Sequence, residues 1–72
     1  LMEGVRMFEQ LNTLCAMVGY QFDALLAVPS GGFVCVLVDR LDGELEFKGE
    51  TPQAAVQAAI DRLEVVSGSM TH

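Results

Sequence analysis

Apolar residues recur at three- and four-residue steps near the start of the chain, at Val5, Phe8, Leu11, Leu14, Cys15 and Val18. That spacing gathers them on one stripe and predicts an α-helix over residues 3–18. Gly19 follows, and glycine readily takes the left-handed backbone that closes a helix. The period then changes to two. Phe22, Ala24, Leu26 and Val28 alternate with Gln21, Asp23, Leu25 and Ala27, which predicts a strand over 21–28. Pro29-Ser30-Gly31-Gly32 reads as a turn, so Phe33 to Val38 is expected to return antiparallel. Asp42-Gly43 reads as a type I′ hairpin turn into a third strand, Glu44 to Lys48. There Leu45 and Phe47 alternate with charged residues, as on the edge of a sheet. Thr51-Pro52 marks a helix start, with Thr as cap and Pro where no backbone donor is needed. Val56, Ala59, Ile60 and Leu63 then form an inner stripe, flanked by Ala55 and Ala58.

The expected fold class is α+β: a two-layer αβββα sandwich with a three-stranded antiparallel meander and both helices on one face. It is expected to be a single domain over residues 1–72, with a core of about 3–66 and a flexible tail from Ser67 to His72. The chain opens on Leu1, with Met2 and Met7 as candidate starts, so its first residues carry little weight.

The second strand, FVCVLV, breaks the alternation with six apolar residues in a row. A strand reads this way when both of its faces are covered. If the first hairpin closes over Pro29 to Gly32, Val28 lies opposite Phe33, Leu26 opposite Cys35 and Ala24 opposite Leu37. One side of the sheet then holds Phe22, Leu26, Phe33, Cys35 and Leu37, and the other Leu25, Val34, Val36 and Val38. A two- or four-residue second loop would add Leu45 and Phe47 to the Leu25 side, which would make it the helix-covered one. Phe22, Leu26, Phe33, Cys35 and Leu37 are therefore expected to form an uncovered face that meets a partner, since an open apolar patch invites association. Symmetric dimers are the commonest soluble assemblies, so a homodimer is the first expectation. A different hairpin register would turn other residues outward and allow a self-contained monomer.

Composition sharpens this picture. A chain of 72 residues builds only a thin core, yet 51% of it is hydrophobic. No apolar run reaches the roughly 20 residues of a membrane span, and no secretory leader pattern is present, so a cytoplasmic location is expected. Cys15 and Cys35 lack metal-ligand or CxxC spacing and read as buried reduced thiols, with a bridge between them as the alternative.

Candidate chemistry is sparse. The single histidine is His72, Ser30 lacks a nucleophile-elbow frame, and neither Rossmann nor P-loop glycine spacing occurs. No catalytic residue, cofactor or metal site is expected, and an enzyme is not. Asp39, Asp42, Glu44, Glu46 and Glu50 crowd the second hairpin against Arg40 and Lys48 only. They read as an acidic patch, either a solvated edge that prevents strand-to-strand association or a surface for a basic partner.

The order helix–strand–strand–strand–helix, with LNTLCAMVGY opening and GETPQAAVQAAIDRLE closing, resembles the small phage alpha-beta-alpha sandwich family, which implies an origin in a phage or mobile element. The topology is also similar to the double-stranded-RNA-binding domain. That family's lysine cluster at the second helix is replaced here by Thr51, Pro52, Gln53, Ala54 and Ala55, and its loop histidine by Pro29 to Gly32. With a net charge of −6, nucleic-acid binding is not expected. Gly49-Glu50-Thr51 followed by Ala55, Ala59 and Ile60 is similar to the sheet-to-helix junction of HicB-type antitoxins. The expected function is a small protein–protein interaction module, homodimeric through the open sheet face. The alternative is an acidic inhibitor, a nucleic-acid mimic or antitoxin, that blocks a basic nuclease or nucleic-acid-binding partner.

Overall fold

The computed structural model describes residues 2–41 and 43–70, with side chains from 6–41 and 43–68. Its elements are α1 (Met2–Val18), β1 (Tyr20–Ala27), β2 (Phe33–Asp39), β3 (Glu44–Gly49) and α2 (Pro52–Met70). The strands form one antiparallel sheet in the order β1-β2-β3. The αβββα fold expected from the sequence is the one observed. Gly19 ends α1 with φ 84°, the left-handed conformation that its position required. At the other end α2 continues through Ser67 and Gly68 to Met70, beyond the expected end near 66; Thr71 and His72 lie outside the described residues.

Thr51 starts α2 as a cap. Its hydroxyl accepts the Ala54 N–H at 3.0 Å, and its carbonyl accepts the Ala55 N–H at 3.1 Å. The approach to this start is tight. A Cβ at Gly49 would run into the backbone of Ala54 and Ala55, so only glycine lets the end of β3 lie against the first turn of α2.

Both helices lie on one face of the sheet. Leu11 and Cys15 of α1 and Ala55, Val56, Ala59, Ile60 and Leu63 of α2 form one buried cluster with Cys35 and Leu37 of β2. Met7 and Phe8 line the same small cavity as Pro52 and Gln53, so the helices start at the same end and run side by side in parallel. The thinnest Cα dimension is 15 Å, enough for a sheet and one helical layer. A third layer would add about 10 Å.

Candidate functional site: the uncovered sheet face

The registers of the two hairpins decide which residues reach the uncovered face. In the first, the Val28 carbonyl accepts the Gly31 N–H at 2.8 Å and the Val28 N–H donates to the Gly32 carbonyl at 2.9 Å. Pro29 occupies the second position of a tight turn, where its fixed φ suits it, and Gly31 and Gly32 take φ of 117° and 84°. Val28 is therefore set against Gly32 rather than Phe33, and the pairs that follow are Ala27 with Phe33, Leu26 with Val34, Leu25 with Cys35 and Ala24 with Val36. The expected register is displaced by one residue, and a one-residue displacement exchanges the faces of a strand.

An irregularity between Phe22 and Ala24 adds a second change. Asp23 is left without an opposite residue, and Phe22 pairs with Leu37. This bulge turns both Phe22 and Leu25 toward the helices, although plain alternation would separate them. The Phe22 ring meets that of Phe8 on α1 edge-to-face, with centroids 5.7 Å apart.

The second hairpin is closed by a side chain. The Asp39 carboxylate accepts the N–H groups of Leu41 and Gly43, each at 2.8 Å, while the Asp39 N–H donates to the Gly43 carbonyl at 2.9 Å. Asp39 and Gly43 thus bracket the loop, and Leu45 and Phe47 fall opposite Leu37 and Cys35. The expected type I′ turn at Asp42-Gly43 involves Asp42, which lies outside the described residues.

The expected faces are accordingly exchanged for most residues. Cys35 and Leu37 are fully buried under the helices, and Phe22 and Phe33 pack against the same cluster. Of the five residues expected on the open face, only Leu26 is there; it is 51% exposed. The open face is instead a three-by-three array, with Gln21, Ala24 and Leu26 on β1, Val38, Val36 and Val34 on β2, and Glu44, Glu46 and Lys48 on β3. No element of the described chain overlies it. Val34 and Val36 are nevertheless only 9% and 5% exposed, so the flanking rows of side chains shield the central one. Both faces of FVCVLV are therefore covered, one by helices and the other largely by neighbours within the sheet.

The four described positions of the expected acidic patch are placed differently. Asp39 is engaged in its own loop, Glu44 and Glu46 stand exposed on the open face, and Glu50 lies beyond the opposite end of β3. Asp42 lies outside the described residues.

Elsewhere the chemistry is quiet. Cys15 and Cys35 are free and buried. Burial raises both thiols, and the nearby Cys15 adds to the rise at Cys35, which is pushed up to about 11. Such thiols are poor nucleophiles at neutral pH. The small cavity between Met7, Phe8, Leu25, Pro52, Gln53 and Val56 has a volume of about 60 Å³, while the larger depressions, such as one of about 570 Å³ between the first hairpin turn and Lys48 to Glu50, are open surface grooves. Among the described residues, no group of three or more His, Cys, Asp or Glu is placed to hold a metal ion, and no helix is long and apolar enough to cross a membrane.

The register accounts for the exchange of faces. Leu37, Leu45 and Phe47, the larger apolar side chains of β2 and β3, belong together under the helices, and the smaller valines belong on the thinner side. Comparison with protein-family models, with curated proteins and with solved structures finds no match to this chain.

Proposed function

We propose that this protein is a small, non-enzymatic protein–protein interaction module that forms a homodimer through the open face of its sheet. The observation that carries the proposal is the array itself: three valines in the central strand, beside a half-exposed Leu26, with no element of the described chain over them. Packing a second copy against this face would bury Leu26 and Val38 fully and complete the cover of Val34 and Val36. Two free, buried thiols suit a reducing compartment.

The footprint is modest. Three strands about 4.8 Å apart and six residues rising about 3.4 Å each give a face of about 14 by 20 Å. Such an area, about 280 Å² on each copy, lies below the range of stable interfaces, so the self-association is expected to be weak and transient. The acidic-inhibitor reading draws less support, because Asp39 is occupied within its loop and Glu50 is separated from Glu44 by the length of β3.

Light scattering across a concentration series tests the proposal. The expected mass rises toward twice 7.8 kDa, and Leu26→Asp holds the chain at the monomer mass. A wild-type mass of 7.8 kDa at every concentration removes the proposal.

A further inference from the structure

The charges of β3 select one way for two such faces to stack. On the open face, Glu44 shares a row with Val38 and Gln21, Glu46 with Val36 and Ala24, and Lys48 with Val34 and Leu26. Two sheets packed face to face either keep their strands within about 30° of aligned or cross them near 90°, and a crossing would set Glu46 on Val34 or Val38 of the partner subunit, which leaves the aligned class. A two-fold axis in the plane between them then runs either along the strands or across them. With the axis along the strands, β3 of one copy covers β1 of the other. Glu46 is then set on Ala24 of the partner subunit and Lys48 on Leu26 of the partner subunit. That arrangement desolvates charges against apolar side chains with nothing to pair them, at a large cost.

With the axis across the strands, β3 covers β3 and the row order is reversed. Lys48 then meets Glu44 of the partner subunit, and Glu44 meets Lys48 of the partner subunit. The same operation lays Val36 on Val36 of the partner subunit and sets Val34 against Val38 of the partner subunit, so the apolar column is continuous across the interface. Sheets pack about 10 Å apart, a gap that a lysine and a glutamate side chain can span from opposite sides. Two mismatches remain, since Glu46 faces its own copy and Leu26 meets Gln21 of the partner subunit.

We infer that the homodimer stacks its two sheets with strands antiparallel, held in register by two reciprocal Lys48–Glu44 ion pairs around a valine centre. This inference rests on the dimer reading above and specifies its geometry. Because the pairs lie at the rim, they choose the orientation more than they supply affinity, and because symmetry doubles each substitution, single charge reversals have a readable effect.

A charge swap tests it on the full chain, using sedimentation equilibrium with circular dichroism to verify folding. All the altered residues are exposed on the surface, so the monomer fold is expected to persist. Glu44→Lys and Lys48→Glu are each expected to weaken dimerisation by about tenfold, and the double variant to recover wild-type affinity within about threefold. Glu46→Gln is expected to tighten the dimer. Glu44→Lys is the decisive single variant, because it reduces the net negative charge of −6 and would strengthen association if general repulsion were all that mattered. A dimer strengthened or unchanged by Glu44→Lys, or one weakened by both single changes without recovery in the double, overturns the antiparallel stacking and leaves the dimer itself standing. A wild-type chain that stays monomeric overturns both.

Discussion

The two faces of this sheet come from the same strands yet solve different problems. On the helix-covered face, Leu37 and Cys35 reach full burial because Leu11, Cys15, Val56, Ile60 and Leu63 lie over them. On the other face, Val34 and Val36 reach nearly the same burial with no layer above, because the flanking rows crowd in from both sides. The difference lies in what each cover can do. Helices fixed by their own backbone hydrogen bonds give a close-packed core, whereas long side chains such as Lys48 and Glu46 can swing away and admit a partner. An uninterrupted apolar strand can therefore mark one face covered by helices and one covered only by side chains of its own sheet.

Truncation on the helix-covered face should break the comparison most strongly. Leu37→Ala leaves a cavity beneath both helices and is expected to lower unfolding free energy by about 2–5 kcal/mol in denaturant titration. Its neighbour in sequence, Val36→Ala on the open face, is expected to cost the monomer less, about 1–2 kcal/mol, because two carbons are removed rather than three and no helix lies above the gap. Equal losses at the two positions would show that the faces are energetically alike.

The bulge offers a sharper cut. Deleting Asp23 restores plain alternation in β1, so Phe22 and Leu25 can no longer both face the helices. Expelling either one is expected to cost roughly 1.5–3 kcal/mol. A deletion variant as stable as the wild type would contradict the role of the bulge.

Smaller effects follow at the edges of the core. Thr51→Ala removes the cap on α2 and should cost about 1 kcal/mol, while Thr51→Ser should cost much less. The buried thiols predict a pH effect of definite sign. Cys35 is raised in the folded state to about 11 from an ordinary value of 9.0, so the folded chain binds more protons than the unfolded chain between those limits. The stability associated with the neutral thiol is fully present below about pH 9 and is lost as pH rises toward 11. Comparing thermal melts of wild type and Cys35→Ala over that range isolates this contribution: the wild type should lose stability more steeply.

Most of the architecture was legible in the sequence, because it depends on local signals. The period of α1, Gly19 as its stop, the turn residues between β1 and β2, and Thr51-Pro52 at the start of α2 each act over a few residues. The faces were harder to read. They depend on whether the Pro29 turn places Val28 against Phe33 or Gly32, and a single residue there exchanges every side chain of a strand. The Asp23 bulge has no strong local signature, but the need to bury Phe22, Leu25, Leu37, Leu45 and Phe47 together could have pointed to it. Sequence alone also does not show the Asp39 carboxylate accepting the N–H groups of its own loop.

The central claim is that the open face is where two copies meet, and methyl NMR with a water-soluble paramagnetic probe tests it most directly. Leu26 lies on that face at 51% exposure, while Leu41 lies off it, at the tip of the second hairpin, at 91%. With rising protein concentration, the Leu26 and Val38 methyl signals should become protected from the probe while Leu41 stays fully attenuated. Leu26 and Val38 methyls that remain equally attenuated from the lowest to the highest concentration would contradict the account.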